Sequence, residues 1–270
     1  FRNSTLKMSR ITEVFARAKS ENRSALIGYI PAGFPTVARS IEIINAMVDG
    51  GVDLIEVGYP YSDPVMDGPV IQRATELSLR EGFSSEDLFT VVAASKAPTL
   101  VMTYWNPIER MGVSQFAKRL VENGGVGVIT PDLTIEESET WIQATNEEAL
   151  DRVYVVAPSS SDERLKKVSS QCSGFIYAAS LMGVTGARTV LASSARELVA
   201  RLRKHSDLPI AVGLGVSNAE QARDVASFAD GVIVGSAFIS LVQSASNEKE
   251  GVEKVRVLAQ ELSQAVREGR

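Results

Sequence analysis

Among its 270 residues the chain has a single cysteine, Cys172, and a single histidine, His205. One thiol excludes an intramolecular disulfide, and a reducing, cytoplasmic setting is expected. No run of about 18 apolar residues occurs, so no segment reads as a membrane-spanning helix. Phe1–Lys7 lacks the apolar core of a signal peptide; Met8 reads as a natural start, with residues 1–8 an extension, disordered or added, before a domain over 9–270. An excess of positive charge is missing too. Acidic residues outnumber basic ones 33 to 28, giving a net charge of −5 and a pI of about 5.2. That balance excludes the cationic footprint that nucleic-acid binding needs. No Pro/Gly/Ser-rich linker or low-complexity stretch divides the chain, which argues for one domain.

Hydrophobic residues make up 44% of the chain, enough for one large core. Eight short runs are apolar on both faces, as parallel strands covered by helices should be: Ala25–Ile30, Leu54–Val57, Thr99–Thr103, Gly127–Ile129, Val153–Val156, Phe175–Ala178, Ile210–Gly213 and Gly231–Val234. Amphipathic helical patterns separate them: Val37–Val48, a helix ending at Arg80, Ser85–Ser95, Val113–Asn123, Ile135–Ala144, Asp162–Val168, Ala195–Arg203 and Asn218–Ala226. Helix starts are signalled by Thr134 with Glu137 and by Ser85 with Leu88. Arg10–Lys19 reads as an extra helix closing the bottom, and Gly251–Glu268 as a long final helix. Strict strand–helix alternation means a parallel sheet, and eight units close into a (β/α)8 TIM barrel, an α/β fold. A doubly wound open sheet is the alternative. It would carry GxGxxG after the first strand, where this chain has IPAGFP.

In a barrel, chemistry sits on the loops after strands. The stretch VDLIEVGYPYSDPVMDGPVIQRA, residues 52–74, is the richest such place. Glu56 lies inside an apolar strand and loses water whether it faces the barrel or the helix layer. It is either a buried ion pair fixing register or a functional acid. Asp63, before a proline, reads as a turn residue. Asp67, before Gly68-Pro69, reads either as turn chemistry or as a second functional acid. Two carboxylates in one cleft acquire different pKa values and suit paired proton donation and removal.

Glycine-rich loops follow strands six, seven and eight: Gly183–Gly186, Gly213–Ser217 and Gly235-Ser236. Such loops bind phosphate through backbone amides and helix N-termini. His205 precedes the seventh strand and belongs to the opposite face, so neither a metal ligand set nor a Ser/His/Asp array can be assembled. No lysine ends a strand, which argues against a Schiff-base aldolase. Carboxylate acid–base chemistry on a small phosphorylated molecule remains, with Tyr177 or Tyr104 in support. For both tyrosines core packing is the competing reading, and for Tyr104 the stronger one.

EVGYPYSDPVMDGPVIQRA, GVTGAR, GLGVSNAEQ and ADGVIVGSAF together resemble the tryptophan synthase α subunits, in the same order, from about Ser9 to Val242. The resemblance implies a carbon–carbon lyase of tryptophan biosynthesis, a retro-aldol cleavage of indole-3-glycerol phosphate to indole and glyceraldehyde 3-phosphate. It implies Glu56 as proton shuttle, Asp67 as the anion beneath the indole N–H, and Tyr177 beside them. By the same resemblance Gly186, Gly215, Gly235 and Ser236 hold phosphate, Thr185 is the mobile-loop threonine, and Tyr29, Tyr104 and Ile129 line the indole pocket. It further implies no cofactor in this chain, and an αββα heterotetramer with a β subunit that carries pyridoxal phosphate. The long loops Pro60–Pro69 and Leu181–Ser194 would face that partner. Two departures stand out: Thr134 replaces a proline in PDLT, and Leu181 stands where some relatives carry arginine. An activator subunit of weak catalysis and another phosphate-binding barrel isomerase or synthase are the other readings. The intact acids argue against the first, and different acids or a strand-end lysine would mark the second.

Overall fold

Each residue of the first strand, β1 (Ala25–Pro31), and of the second, β2 (Leu54–Gly58), is buried. Burial on both faces is what a parallel strand under a helix layer requires. The computed structural model describes residues 9–179 and 188–270. In chain order these form α1 (Arg10–Ser20), β1, α2 (Val37–Asp49), β2, α3 (Pro69–Arg80), α4 (Ser85–Ala93), β3 (Thr99–Met102), α5 (Trp105–Met111), α6 (Val113–Glu122) and β4 (Gly125–Thr130). There follow α7 (Glu139–Glu147), β5 (Asp151–Val156), α8 (Asp162–Ser169), β6 (Ile176–Ala179), α9 (Arg188–Leu202), β7 (Ile210–Gly213), α10 (Ala219–Ala226), β8 (Gly231–Val234), α11 (Ser236–Gln243) and α12 (Glu248–Glu268). The strands pair in order from β1 to β8, and β8 closes on β1 as a parallel barrel. This is the expected (β/α)8 fold.

Strand alternation sorts side chains into two cores. Ile27, Leu54, Leu100, Ile129, Val153, Phe175, Ala211 and Ile233 fill the barrel interior, one from each strand or its edge. Ile11, Val14, Phe15 and Ala18 of α1 join this cluster and stopper the N-terminal end, as expected of that helix. Leu26, Ile55, Val57, Val101, Val128, Ile176 and Val212 point the other way, under the helices. Below the barrel, Asp53 accepts from Arg23 at 2.7 and 2.9 Å, from Arg17 at 3.0 Å and from the Leu26 amide at 2.9 Å.

Four expectations change. The cap of α4 is Ser84, whose side chain and that of Asp87 form a capping box, one residue before the expected Ser85. Ile135–Glu137 is a 3-10 turn with no side-chain cap from Thr134, and the helix proper starts at Glu139. The loop expected over Leu181–Ser194 is helical from Arg188 onward, so α9 begins well before the expected Ala195. The α5 and α11 helices were not anticipated. Thr134 has φ −80°, a value proline also adopts, so its departure from the family pattern leaves the backbone unstrained.

Candidate active site

Glu56 lies opposite Tyr29 in the β1–β2 register and shares the interior face of β2 with Leu54, while Ile55 and Val57 face the helices. Alternation therefore aims its carboxyl into the barrel mouth, which resolves the choice of faces. The residue is fully buried, and neither Oε1 nor Oε2 has a hydrogen-bond partner among the described residues. A register-fixing ion pair is thus ruled out among those residues. Burial alone pushes its pKa up to about 8.

Asp67 ends a turn in which its amide donates to the Pro64 carbonyl at 3.0 Å. The cap of α3 is Gly68, with Pro69 at its first position and no side-chain cap bond. Turn geometry accounts for the Asp67 backbone but gives its carboxylate no task. Desolvation raises that carboxyl to about 6. Asp63 behaves as expected of a turn residue: exposed, its carbonyl accepts from the Val65 amide at 2.9 Å.

Two tyrosines stand with the acids. Tyr29 and Tyr177 are both held well above the usual phenol range, first by burial and then by the negative charge of Glu56 and Asp67. Glycines make room for them. A Cβ at Gly213 would stand 2.7 Å from the Tyr177 hydroxyl, and one at Gly235 would stand 3.0 Å from Cδ1 of Tyr29. Tyr104 is also buried, but its hydroxyl accepts from the Met66 amide at 2.8 Å and its ring leans on Tyr61. Ile129, expected near the indole pocket, is fully buried in the interior cluster with Leu100 and Val153.

The glycine loops after β7 and β8 reach the same end of the barrel. Gly215 has φ +67° and open space where a Cβ would be, so ligand atoms can approach its backbone. Gly235 caps α11 and Ser236 is its first residue, with no side-chain cap bond. A free helix N-terminus of this kind favours an anion. Ser217 and Ser236 border a cavity of about 590 Å³ between Val70, Ala237 and Leu241 on one side and Glu253, Lys254, Leu258 and Glu261 of α12 on the other. Thr185 and Gly186, as well as Leu181, lie outside the described residues. Sequence reading missed Asp132, which accepts from the Trp105 amide at 2.9 and 3.2 Å. Only its place in PDLT after the fourth strand could have pointed to it.

A sequence profile described as tryptophan synthase alpha chain matches residues 15–267. The chain belongs to the tryptophan synthase alpha chain family. The alpha chain of Streptomyces avermitilis is 54% identical over 263 residues, covering 96% of this chain and 95% of the relative. That of Thermobifida fusca is 53% identical over 266 residues, covering 96% and 98%. Among solved structures, an aminoacrylate-bound tryptophan synthase from M. tuberculosis superposes with a TM-score of 0.87 at 45% identity, covering 96% of this chain and 100% of that one. The alpha subunit from Legionella pneumophila gives 0.87 at 32% identity, covering 96% and 98%. A tryptophan synthase alpha chain is an enzyme. Among the described residues no helix is long and apolar enough to cross a membrane.

Proposed function

We propose that this chain cleaves indole-3-glycerol phosphate to indole and glyceraldehyde 3-phosphate with Glu56 and Asp67 as its catalytic residues. One observation carries the roles: a fully buried Glu56, without a hydrogen-bond partner among the described residues and with its pKa near 8, faces the same barrel mouth as Asp67, which titrates near 6. At neutral pH the first carries a proton and the second does not. The protonated Glu56 donates to C3 of the indole ring, and the Asp67 carboxylate stabilises the positive charge that develops at the ring N–H. The Glu56 carboxylate left behind removes the proton of the hydroxyl on the adjoining glycerol carbon. That carbon becomes an aldehyde, its bond to C3 breaks, the electron pair restores the indole, and Glu56 is protonated again. The raised pKa of Glu56 favours protonation of C3 before removal of the hydroxyl proton.

Gly215, Gly235 and Ser236 hold the phosphate. Gly186 joins them by resemblance and Thr185 is by the same resemblance the mobile-loop threonine, Tyr177 packs beside the acids, and Tyr29 and Ile129 shape the indole side. This chain needs no cofactor of its own. Its partner is a β subunit whose pyridoxal phosphate consumes the indole in an αββα assembly. The exposure of Val65 and Met66 on the acidic loop supports a covering partner there. A cytoplasmic setting suits the buried free thiol of Cys172. The test is indole release from indole-3-glycerol phosphate, with and without the β subunit. Glu56→Gln abolishes release with an unchanged circular dichroism spectrum and unchanged partner binding; substantial residual turnover refutes the assignment.

A further inference from the structure

The loop that carries Asp67 is tied to the rest of the barrel mouth at one notable point. Within the loop, Asp67 donates to Pro64 at 3.0 Å and Val65 to Asp63 at 2.9 Å, while Gln72 of α3 donates to the Asp67 carbonyl at 2.9 Å. These bonds hold the loop to itself and to the helix it leads into. They do not set where the loop stands across the mouth. Val65 and Met66 directly precede Asp67, and Val65, 80% exposed, adds nothing that would fix the loop by packing.

Tyr104 makes the crossing. It is buried immediately before α5, and its hydroxyl accepts the Met66 amide at 2.8 Å. Its ring lies 5.4 Å from that of Tyr61, on the near arm of the same loop. Tyr104 is itself pinned from the far side. The Trp105 amide, first of α5, donates to both oxygens of Asp132 at 2.9 and 3.2 Å. A carboxylate at a helix N-terminus satisfies an amide and complements the helix dipole. Loops after β4, β3 and β2 are thereby linked in series, from Asp132 through Tyr104 to Met66.

We infer that Tyr104 is a positioning residue for Asp67, acting through the Met66 amide, and that Asp132 fixes Tyr104 for that task. This departs from the reading of Tyr104 as a wall of the indole pocket, and it rests on the proposed role of Asp67. A misplaced carboxylate binds substrate almost as well but meets the developing charge in the wrong place. The tie therefore acts on kcat rather than on KM.

Tyr104→Phe keeps the ring and removes the acceptor. Amide hydrogen exchange and steady-state indole release are measured on the intact chain, with Asp132→Ala and Asp132→Asn alongside. In Tyr104→Phe and Asp132→Ala the Met66 amide exchanges about tenfold faster, the loss of one hydrogen bond. Leu100 and Val101 of β3 keep their protection, kcat falls about tenfold and KM stays within about twofold. Asp132→Asn, which keeps an acceptor for the Trp105 amide, restores Met66 protection and most of kcat. Unchanged Met66 exchange in Tyr104→Phe overturns the inference, as does a raised KM with unchanged kcat, which marks a pocket wall. The exchange arm reads the tie without turnover. Protected Met66 refutes the tie, whereas a wild-type chain that releases no indole refutes the acid-pair role and with it the function given to the tie.

Discussion

A Cβ on Gly58 would stand 2.8 Å from Cζ of Tyr29 and against its hydroxyl, so glycine at the end of β2 is what lets the Tyr29 ring lie across the barrel mouth. The same ring touches the space above Gly235 at the end of β8. Gly58→Ala forces it off this position, beside Glu56. Overpacking of this kind costs about 1–3 kcal/mol, readable by urea unfolding, and turnover falls with it. Tyr29→Phe removes the nearest atom, so the Gly58→Ala, Tyr29→Phe double variant regains part of the lost stability. Additive losses in the double-mutant cycle would exclude the contact.

Glu56 makes folding depend on pH. Its pKa rises from an ordinary value of 4.5 to about 8 on burial, so the folded state holds a proton that the unfolded chain releases. Its stabilising share is fully present below pH 4.5 and is lost as pH rises through about 8. Glu56→Gln cannot ionise. The variant therefore gains on the wild type as pH rises through that window, by on the order of 5 kcal/mol, at about 1.4 kcal/mol per pKa unit. Equal unfolding midpoints at pH 5 and pH 8 in both proteins would refute this.

The barrel was legible because most strands are buried on both faces and leave a short apolar run. Glu56 stood out because it interrupts one of them, yet its run allowed two directions. Only the register beside Tyr29 and the position of Leu54 on the same face settled which. The α5 helix escaped notice because Pro107, harmless in a first turn, reads as a breaker. The α11 helix escaped because eight residues directly after a strand show too little periodicity. Asp132 and Trp105 are 27 positions apart, and Arg23 and Asp53 are 30 apart, so no local pattern could join either pair.

The Arg23–Asp53 pair separates stability from activity. Both side chains are buried at the N-terminal end of the barrel, where Asp53 also accepts the Leu26 amide. Arg23→Ala leaves Asp53 buried with only Arg17 as a charged partner, at a cost of about 3–5 kcal/mol. Activity belongs to the other end. The surviving folded fraction keeps its kcat within about twofold when assayed well below the lowered melting temperature; a large loss of kcat would contradict the division of labour between the two ends.

Phosphate anchoring should appear in KM. Gly215→Ala places a side chain at φ +67°, a strain of about 1 kcal/mol, where open space waits for the ligand. Ser236→Ala removes a hydroxyl at the first position of α11. Each is expected to raise KM for the phosphorylated substrate about fivefold, with kcat nearly constant, since the phosphate is held equally in ground and transition states. Inorganic phosphate competes with substrate in the wild type and more weakly in both variants. A fall in kcat at constant KM would move these residues out of the anchoring role.

The two acids bound the pH range of the reaction. Activity requires Asp67 ionised and Glu56 protonated. Desolvation raises Asp67 to about 6 and Glu56 to about 8, so kcat/KM climbs through the first value and declines through the second. The neighbouring phenols Tyr29 and Tyr177 stay neutral across this range because burial and both carboxylates hold them well above it. The descending limb therefore belongs to Glu56. In Glu56→Asp, whose shorter side chain retains slow turnover, the descending limb moves while the ascending limb stays. If the ascending limb moved instead, the roles of the two carboxylates would be exchanged, with Asp67 the proton carrier and Glu56 the fixed anion.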